Sequence, residues 1–378
     1  MMQNRHRIFS AAMGCLLLLC AKANAEIPTE LIEQAGFAPE RLQKIDEFVQ
    51  RDIEAGRVSG AVTLVARHGQ LVHFSAQGNF GSADPRPLQE DTLFRIYSMT
   101  KPITTVAAMM LYEAGAFHLG DPVSRYLPEF ESVQLLRDGE LVAPSGPITI
   151  GQLMTHTAGL SYGWHPNDPV DQAYVKADLI NSTSSDDFIQ RLAGLPLRFE
   201  PGSRYHYSVA TDVLGVLVER LSGMSLEAFF QTRIFAPLGM TDTFFNVPLD
   251  KLDRFAPNHY WNAQLGAIAP IPEASAQPFT GVTTFSGGGG LVSTAKDYWI
   301  FCETLRQGGS YNGTRILGPK TVQFMTADHL TPAVRNRGVG EYPDSHLYPG
   351  QSAGLGFGVI TDPGQTGVIS SKGAYSWG

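Results

Sequence analysis

The segment that most restricts the possible folds of this chain is the apolar run Val106–Leu111, which has no polar face at helical spacing. A helix that is apolar on every side must be surrounded by other elements, so it is expected to lie buried at the centre of the molecule. Pro102 precedes this run and is tolerated only in a first turn, where backbone N–H groups have no intrahelical partner. The helix is therefore expected to start very near Ser98.

Ser98 and Lys101 form an S-x-x-K pattern at that helix start. Residues three apart lie on one face of a helix, so both side chains can point into the same space. The positive end of the helix favours an anion, such as the oxygen of an attacked carbonyl. A lysine next to an apolar core can have its pKa lowered and act as a base. The functional interpretation is a nucleophile with its activator; the structural one is a serine N-cap followed by a lysine that extends to solvent.

Two other serines have contexts that resemble those of hydrolases. Ser293 and Lys296 form a second S-x-x-K, but Thr294 and Asp297 predict a capping box ahead of an amphipathic helix, so this copy is interpreted as structural. Ser161 lies in a G-x-S-x-G sequence, which requires a strand before it and a helix after it. A short helix is predicted before Ser161 and a loop after it, so Ser161 is not favoured.

Periodicity divides the chain into strand-rich ends and a helical middle. Helical spacing, capping residues and period-two alternation predict the helices Pro39–Ile53 and Ala210–Leu221, the hairpin of Ala61–Ala66 with Gln70–Ala76, and the strands Leu93–Tyr97, Gly356–Thr361 and Gly367–Ser371. Thr149-Ile150-Gly151-Gln152 predicts a capping box. The pattern indicates one α/β layer interrupted by a helical insertion.

Residues 1–25 are typical of a secretory signal peptide. Arg5 and Arg7 precede the apolar run Ile8–Cys20, and Ala23-Asn24-Ala25 supplies a small-x-small cleavage pattern. The apolar run is too short to predict a membrane span. The mature chain is therefore expected to be exported, either to the periplasm or into the medium, without a stable membrane anchor.

The charge and cysteine content of the mature chain exclude some partners and cross-links. Removal of Arg5, Arg7 and Lys22 leaves 25 basic residues against 36 acidic ones, a net charge of about −11, which argues against a nucleic-acid partner. Cys302 would be the only cysteine, so no intrachain disulfide is expected and the core must hold the fold. No metal or cofactor is predicted, and nothing in the sequence indicates an oligomeric state.

Four segments, taken in order, carry a resemblance to a known family. Ser98-Met99-Thr100-Lys101 follows LFRIY, and LMTHTAGL at 153–160, YHYSVATDVLGVLVERLSG at 205–223 and GGGGLVSTAKDY at 287–298 come after it. This set resembles the serine β-lactamase and penicillin-binding-protein superfamily, and it is most similar to the class C β-lactamase-like family VIII carboxylesterases. The similarity extends from about Pro39 to the last residue.

The resemblance implies an α+β fold, in which an antiparallel sheet is flanked by helices and carries an inserted, mainly helical region. Residues 26–378 would form one domain, with its α/β part at 26–130 and 286–378 and its helical, loop-rich part at 131–285. In the family, two further strands, a terminal helix and a second oxyanion donor follow the third conserved motif, which Trp377-Gly378 resembles in this chain. These C-terminal strands are therefore expected to be missing from a chain that stops at Gly378.

The resemblance also implies the catalytic residues. Ser98 would be the acylated nucleophile and one oxyanion donor through its N–H group, and Lys101 would be its proton-transfer partner. Tyr207 directly precedes a predicted helix, as the family's tyrosine does, and would share the serine proton and serve the leaving group. Tyr205, and Tyr260 in a Y-x-N pattern, are the rival tyrosines. The division of the proton between Lys101 and Tyr207 stays open.

The implied substrate-binding residues are Tyr97, Val209, Trp377 and Gly378. Val209 stands where class C β-lactamases have an asparagine, and it cannot pair with the side-chain amide of a β-lactam. Trp377-Gly378 resembles the Trp-Gly-Gly of the esterases rather than the Lys-Thr-Gly of the lactamases. The predicted function is hydrolysis of short-chain carboxylic esters. The alternatives are a β-lactamase, a D-alanyl carboxypeptidase or transpeptidase, and a penicillin-binding protein without turnover.

Overall fold

The structure is a computed structural model that describes residues 27–272, 279–338, 340 and 345–378. The predicted signal peptide lies outside the described residues. Within them, the α-helices are α1 Thr29–Gln34, α2 Pro39–Glu54, α3 Thr100–Glu113, α4 Ile150–Met154, α5 Pro169–Ala177, α6 Ser185–Ala193, α7 Ala210–Ser222, α8 Leu226–Phe230, α9 Ala236–Leu238, α10 Ala295–Arg306, α11 Pro319–Met325 and α12 Pro332–Arg335. None of the helices in these ranges is long and apolar enough to cross a bilayer.

The strands are short outside the first hairpin. They are β1 Gly60–Arg67, β2 Gln70–Gly81, β3 Asp84–Pro87, β4 Phe94–Arg95, β5 Leu135–Arg137, β6 Glu140–Val142, β7 His259–Asn262, β8 Ala267–Pro270, β9 Val292–Ser293, β10 Ser310–Tyr311, β11 Thr314–Arg315, β12 Gln351–Ala353, β13 Gly358–Ile360 and β14 Tyr375–Ser376. The two three-stranded sheets have the orders β1-β2-β3 and β12-β13-β14, and every strand pair within them is antiparallel.

Helix α3 lies at the centre of the main hydrophobic core, as its apolar sequence predicts. Its residues from Thr100 to Met109 are all buried, and it packs against α7, whose apolar residues Val213, Leu214 and Leu217 are also buried. Burial of a helix on every side fixes its position, because each displacement would open a cavity. The residues at its N-terminus are therefore held rigidly relative to the rest of the core.

The predicted N-terminal hairpin is present, with β1 antiparallel to β2 from Gly60↔Gly78 to Arg67↔Gln70. His68 and Gly69 both have positive φ, the backbone that suits a two-residue hairpin turn between right-twisted strands. Helices α2 and α10 pack against this hairpin. The α/β part therefore begins as an antiparallel sheet covered by helices.

The pairing of β4 with β9 brings two distant motifs together. Phe94 is paired with Ser293 and Arg95 with Val292, and the Ile96 N–H donates to the carbonyl oxygen of Leu291 at 3.0 Å. This pairing places the glycine-rich segment before β9 next to Ser98. The strand itself is shorter than the predicted Leu93–Tyr97, because the chain turns into the helix after Ile96.

One strand prediction is wrong. Gly367–Ser371 is a loop in which Gly367 has a φ of 70° and the side chain of Ile369 is fully exposed. The strand that pairs with β13 is instead β14, Tyr375–Ser376. Alternating apolar residues form a strand only where a partner strand and a covering layer exist. In the described structure no layer covers Ile369.

The segment around Tyr260, predicted to be irregular, forms the hairpin of β7 with β8. Tyr260 is paired with Ala269, and the Asn262 side-chain oxygen accepts hydrogen bonds from the backbone of Gln264 and Leu265. Asparagine closes turns in this way because its short amide reaches the backbone two residues on. The hairpin was missed because this local turn signal lies in a polar, low-periodicity segment.

Candidate active site

Ser98 lies in a single helical turn, Tyr97–Met99, that leads directly into α3. Tyr97 has a φ of 42°, a left-handed conformation that is uncommon for a residue with a side chain and costs conformational energy. Its hydroxyl accepts a hydrogen bond from the side-chain amide of Asn258. Tyr97, a predicted substrate-binding residue, is therefore fixed at the exposed edge of the site.

Three predicted residues meet at one oxygen atom. The Lys101 ammonium nitrogen, Nζ, lies 3.1 Å from Ser98 Oγ, and the Tyr207 hydroxyl donates to the same Oγ at 2.6 Å. Lys101 is 1% exposed and Tyr207 is 2% exposed, whereas Ser98 is half-buried. The serine oxygen is thus the part of this group that a substrate can reach.

The surroundings of these groups change their proton affinities. Burial lowers the pKa of Lys101 to about 7, with the charge of Asp212 acting in the opposite direction. Burial also raises the pKa of Tyr207. At neutral pH a substantial fraction of the lysine is therefore a free amine, while the tyrosine is a neutral phenol.

Lys101 is held from a second side by the glycine strap, Gly287–Gly290. Lys101 Nζ donates to the carbonyl oxygen of Gly288 at 2.6 Å. The N–H of Gly288 in turn donates to Asp212 Oδ1 at 3.0 Å, and the Ser286 hydroxyl donates to the same oxygen at 2.5 Å. A Cβ atom at Gly288 would lie 2.2 Å from Asp212 Oδ2, so this close approach requires glycine.

Asp212 is a site residue that the sequence analysis missed. It lies five residues after Tyr207, in the first turn of α7, a helix whose other first-turn residues are buried or apolar. An acid in that position is the signal that could have drawn attention to it. Its partner, the glycine strap, lies more than 70 residues away along the chain, so the contact itself could not be read from spacing.

His156, in the LMTHTAGL segment, fixes the loop that carries Tyr207. Its carbonyl oxygen accepts from the His206 N–H at 2.8 Å, and its ring Nδ1 accepts from the Ser208 N–H at 3.3 Å. Burial holds the pKa of His156 well below its usual range, so the ring is neutral and carries its proton on Nε2. The two contacts bracket Tyr207 on both sides.

Aromatic rings enclose the Tyr207 ring. The ring centroids nearest to that of Tyr207 belong to His346 at 4.1 Å, His156 at 4.8 Å, Tyr162 at 5.3 Å, Trp164 at 5.7 Å and Trp377 at 5.8 Å. Trp377 also stacks on His156 with an interplanar angle of 13°. Such an enclosure shields the ring from solvent, while the hydroxyl donates to Ser98 Oγ.

The other predicted substrate-binding residues are placed differently. Val209 is buried two residues after Tyr207 and lines a cavity that borders the site. Gly378 follows Trp377 and is exposed. Within the described residues, no three His, Cys, Asp or Glu side chains are grouped as ligands for a metal ion.

The sequence of the chain matches a known protein family. The model of the family described as Beta-lactamase matches residues 45–378. This chain belongs to the beta-lactamase family. Esterase EstB of Burkholderia gladioli is 34% identical over 355 residues, which cover 89% of the chain and 84% of EstB. The mixed helix and sheet architecture is therefore that of the beta-lactamase family.

Two solved structures are similar to this chain. The structure of EstCE1, described as a hydrolase with promiscuous acyltransferase activity, superimposes with a TM-score of 0.74 at 31% identity, covering 89% of this chain and 87% of EstCE1. Simvastatin synthase (LovD) from Aspergillus terreus has a TM-score of 0.71 at 28% identity, covering 86% of this chain and 84% of LovD.

The rival serines of this beta-lactamase-family chain are both buried. Ser161 is 1% exposed, and its hydroxyl donates to Asp171 Oδ1 at 2.5 Å, with His206 Nε2 at 3.4 Å. Ser293 lies in β9 and forms a hydrogen bond with the Thr243 hydroxyl, while Lys296 is exposed. Neither hydroxyl is accessible to a substrate.

The rival tyrosines are also separated from the serine. Tyr260 lies in β7 and is 44% exposed. The Tyr205 hydroxyl is buried and has no hydrogen-bond partner among the described residues. Of the three tyrosines, only Tyr207 forms a hydrogen bond with Ser98.

Proposed function

We propose that this chain is a serine hydrolase that cleaves carboxylic esters through an acyl-Ser98 intermediate. The observation that carries the proposal is the convergence of Lys101 Nζ and the Tyr207 hydroxyl on one half-buried serine oxygen, at 3.1 and 2.6 Å. A nucleophile within hydrogen-bond reach of a base, with a second proton carrier beside it, is the arrangement that acyl transfer requires. The short-acyl esters expected from the sequence are the first substrates to test.

In the acylation step, the free amine of Lys101 accepts the Ser98 proton as Oγ attacks the ester carbonyl carbon. The carbonyl oxygen becomes an anion and is stabilised by the Ser98 N–H at the positive end of α3. As the intermediate collapses, the Tyr207 hydroxyl donates its proton to the leaving alkoxide, and Lys101 returns a proton to the tyrosinate. An alcohol departs and the acyl group stays on Ser98.

Deacylation repeats these transfers with water as the nucleophile. Water loses its proton to the same lysine and tyrosine pair, attacks the acyl carbon and releases the carboxylic acid, and Ser98 regains its proton. The directions of the two pKa shifts support this division of roles. The lowered pKa of Lys101 suits a base at neutral pH, and the raised pKa of Tyr207 keeps it a proton donor.

The pH dependence of kcat/KM should report on Lys101. Because the free amine is the reactive form, activity is expected to fall as the pH is lowered through about 7. The titratable and charged groups that surround the amine are Tyr207, Tyr162, Asp212, His156 and His346. Burial holds the pKa values of both histidines below their usual range, so neither accounts for a transition near 7. A rate profile from pH 5 to 9 that is flat would contradict Lys101 as the base.

Asp212→Asn should move that transition to lower pH. The amide oxygen can still accept from Gly288 and Ser286, so the strap keeps its position, while the charge that raises the pKa of Lys101 is removed. The variant should therefore retain more of its maximal kcat/KM at pH 6 than the parent does. Asp212→Ala, which also removes the acceptor, should in addition lower the maximal rate. A transition that stays in place in Asp212→Asn would show that the carboxylate has no electrostatic role.

The test of the function compares p-nitrophenyl butyrate with nitrocefin, a chromogenic β-lactam, under the same conditions. Val209 offers no amide to a β-lactam side chain, so the ester is expected to be turned over faster. Faster nitrocefin turnover would favour the β-lactamase alternative. A stable penicillin adduct on Ser98 without turnover would favour the non-catalytic binding protein.

Acyl transfer to an alcohol is a second candidate activity. EstCE1 is described as having promiscuous acyltransferase activity. The aromatic enclosure of Tyr207 would slow the access of water relative to an apolar alcohol. Addition of butanol during the hydrolysis of p-nitrophenyl butyrate should yield butyl butyrate, which gas chromatography detects. Release of butyric acid alone would rule out this second activity.

We also propose that the chain is exported and that residues 26–378 form one domain. The residues that support export are Arg5, Arg7 and the Ala23-Asn24-Ala25 pattern. The pairing of β4 with β9 supports a single α/β part built from 26–130 and 286–378, with 131–285 inserted. Fractionation of cells expressing the full chain tests export, and a single calorimetric unfolding transition tests the one-domain proposal.

A further inference from the structure

A cavity of about 380 Å³, the side cavity, borders the catalytic residues. Helices α5, α6 and α7 supply one wall of the side cavity, and the segment from Val282 to Gly290 supplies another. The volume lies within the roughly 300–1,000 Å³ of pockets that enclose drug-sized ligands, and it exceeds what a two- or four-carbon acyl chain fills.

Shared side chains connect the side cavity to the catalytic centre. Tyr162 and Trp164 are walls of the side cavity; the Tyr162 ring lies 5.5 Å from Lys101 Nζ, and the Trp164 ring lies 5.7 Å from the Tyr207 ring. Val209 and Gly290, the last residue of the glycine strap, are also part of its lining. A group attached to Ser98 would therefore have the side cavity beside it.

The position of Tyr207 indicates which half of an ester, the acyl chain or the alcohol, enters the side cavity. The leaving alcohol must face the Tyr207 hydroxyl, because that hydroxyl is its proton donor. Tyr207 itself is not among the described walls of the side cavity. The remaining substituent of the carbonyl carbon, the acyl chain, is therefore the half that is directed toward the side cavity.

The chemistry of the side cavity favours an apolar chain without negative charge. Trp164, Val175 and Ile180 are walls that are also 43%, 65% and 68% exposed, a cluster of exposed apolar side chains of the kind that marks a binding site. The charged residues among the described walls, Asp178 and Asp212, are both acidic. A carboxylate in the acyl chain would be repelled by both.

We propose that the side cavity binds the acyl chain of a hydrophobic ester, either a medium-length aliphatic chain or an aromatic ring, and excludes acyl chains that carry a carboxylate. This inference rests on the proposed ester hydrolysis. It extends the expected substrates from short acyl chains to longer apolar ones. The side cavity is thus a specificity site rather than part of the reacting group.

The experiment is a series of p-nitrophenyl esters from acetate through butyrate and hexanoate to octanoate, assayed with the parent protein. Burial of each added methylene should raise kcat/KM by roughly fourfold. Monoesters of glutaric acid should be cleaved at least about tenfold more slowly than valerate esters, because two acidic side chains face the added charge. Acetate esters of alcohols of increasing length form the second arm and should show no such rise.

Val282→Phe should fill part of the side cavity and lower the ratio of octanoate to acetate turnover by about tenfold. The matched control is Val58→Phe, the same substitution in a second cavity of about 270 Å³ next to Tyr260 and Trp261, and it should leave this ratio unchanged. If Val282→Phe does not fold, Ile180→Ser removes an exposed wall residue and should lower the ratio about threefold.

The outcomes separate this inference from the proposed function. Hydrolysis of acetate and butyrate with a kcat/KM that is flat or falls toward octanoate would overturn the inference and leave the esterase proposal standing. A rise in the alcohol series instead of the acyl series would overturn the assignment of the acyl chain. Failure to cleave any ester would overturn both proposals.

Discussion

Ser98→Ala is expected to lower kcat for p-nitrophenyl butyrate by about 10⁴-fold or more, because no other oxygen lies within reach of both Lys101 and Tyr207 in the described structure. Ser98 is half-buried, so its replacement should leave the melting temperature close to that of the parent. A fluorophosphonate probe should label the parent and not the variant, which measures the nucleophile independently of turnover.

The rival serines supply the controls for that experiment. Ser161→Ala and Ser293→Ala should retain probe labelling and turnover within about tenfold of the parent. Each removes a buried hydrogen bond, to Asp171 or to Thr243, so each should lower stability by about 1–3 kcal/mol. If Ser98→Ala kept a turnover near that of the parent, the assignment of the nucleophile would have to be abandoned.

Local signals in the sequence predicted the elements that carry them. Pro39 and the helical spacing after it predicted α2, and Thr149 with Gln152 forms the predicted capping box. Gly223, just after the predicted helix Ala210–Leu221, ends α7 in a left-handed conformation that glycine adopts without strain. Each of these signals acts between residues that are close in sequence, so its effect on local structure does not depend on the tertiary packing.

Long-range contacts account for what was missed. His156 and His346 reach Tyr207 from segments about 50 and 140 residues away, and Asp212 reaches the glycine strap from 76 residues away. No spacing rule connects such residues, because their meeting depends on how whole elements pack. The same reason explains the wrong strand at 367–371, where the alternation was present but the partner was not.

The position of Ser98 and Lys101 was predictable because the same local sequence both buries α3 and sets the surroundings of the lysine. The apolar run after Pro102 buries α3, and burial is what lowers the pKa of the lysine in its first turn. The feature that fixes the fold therefore also lowers the pKa of the lysine proposed as the base. The tyrosine comes from a different element, so its place beside Ser98 could be expected only through the family resemblance.

Tyr207→Phe is expected to lower kcat by about 10²–10⁴-fold, with a loss that depends on the leaving group. The substitution removes one oxygen and keeps the ring, so contacts with His346, Trp164 and Lys101 are preserved. An ethoxide needs a proton as it departs, whereas p-nitrophenolate is stable as an anion. Ethyl butyrate should therefore lose more activity than p-nitrophenyl butyrate, and the ratio of the two losses measures proton donation by Tyr207.

Tyr205→Phe is the matched control, because the Tyr205 hydroxyl is buried without a hydrogen-bond partner among the described residues. Removal of that unpaired group should leave turnover of both esters unchanged and raise the melting temperature slightly. Equal losses for the two esters in Tyr207→Phe would point to a different role, in which Tyr207 accepts the Ser98 proton. Lys101 would then be the group that only positions the tyrosine, and the transition near pH 7 would have to belong to the pair.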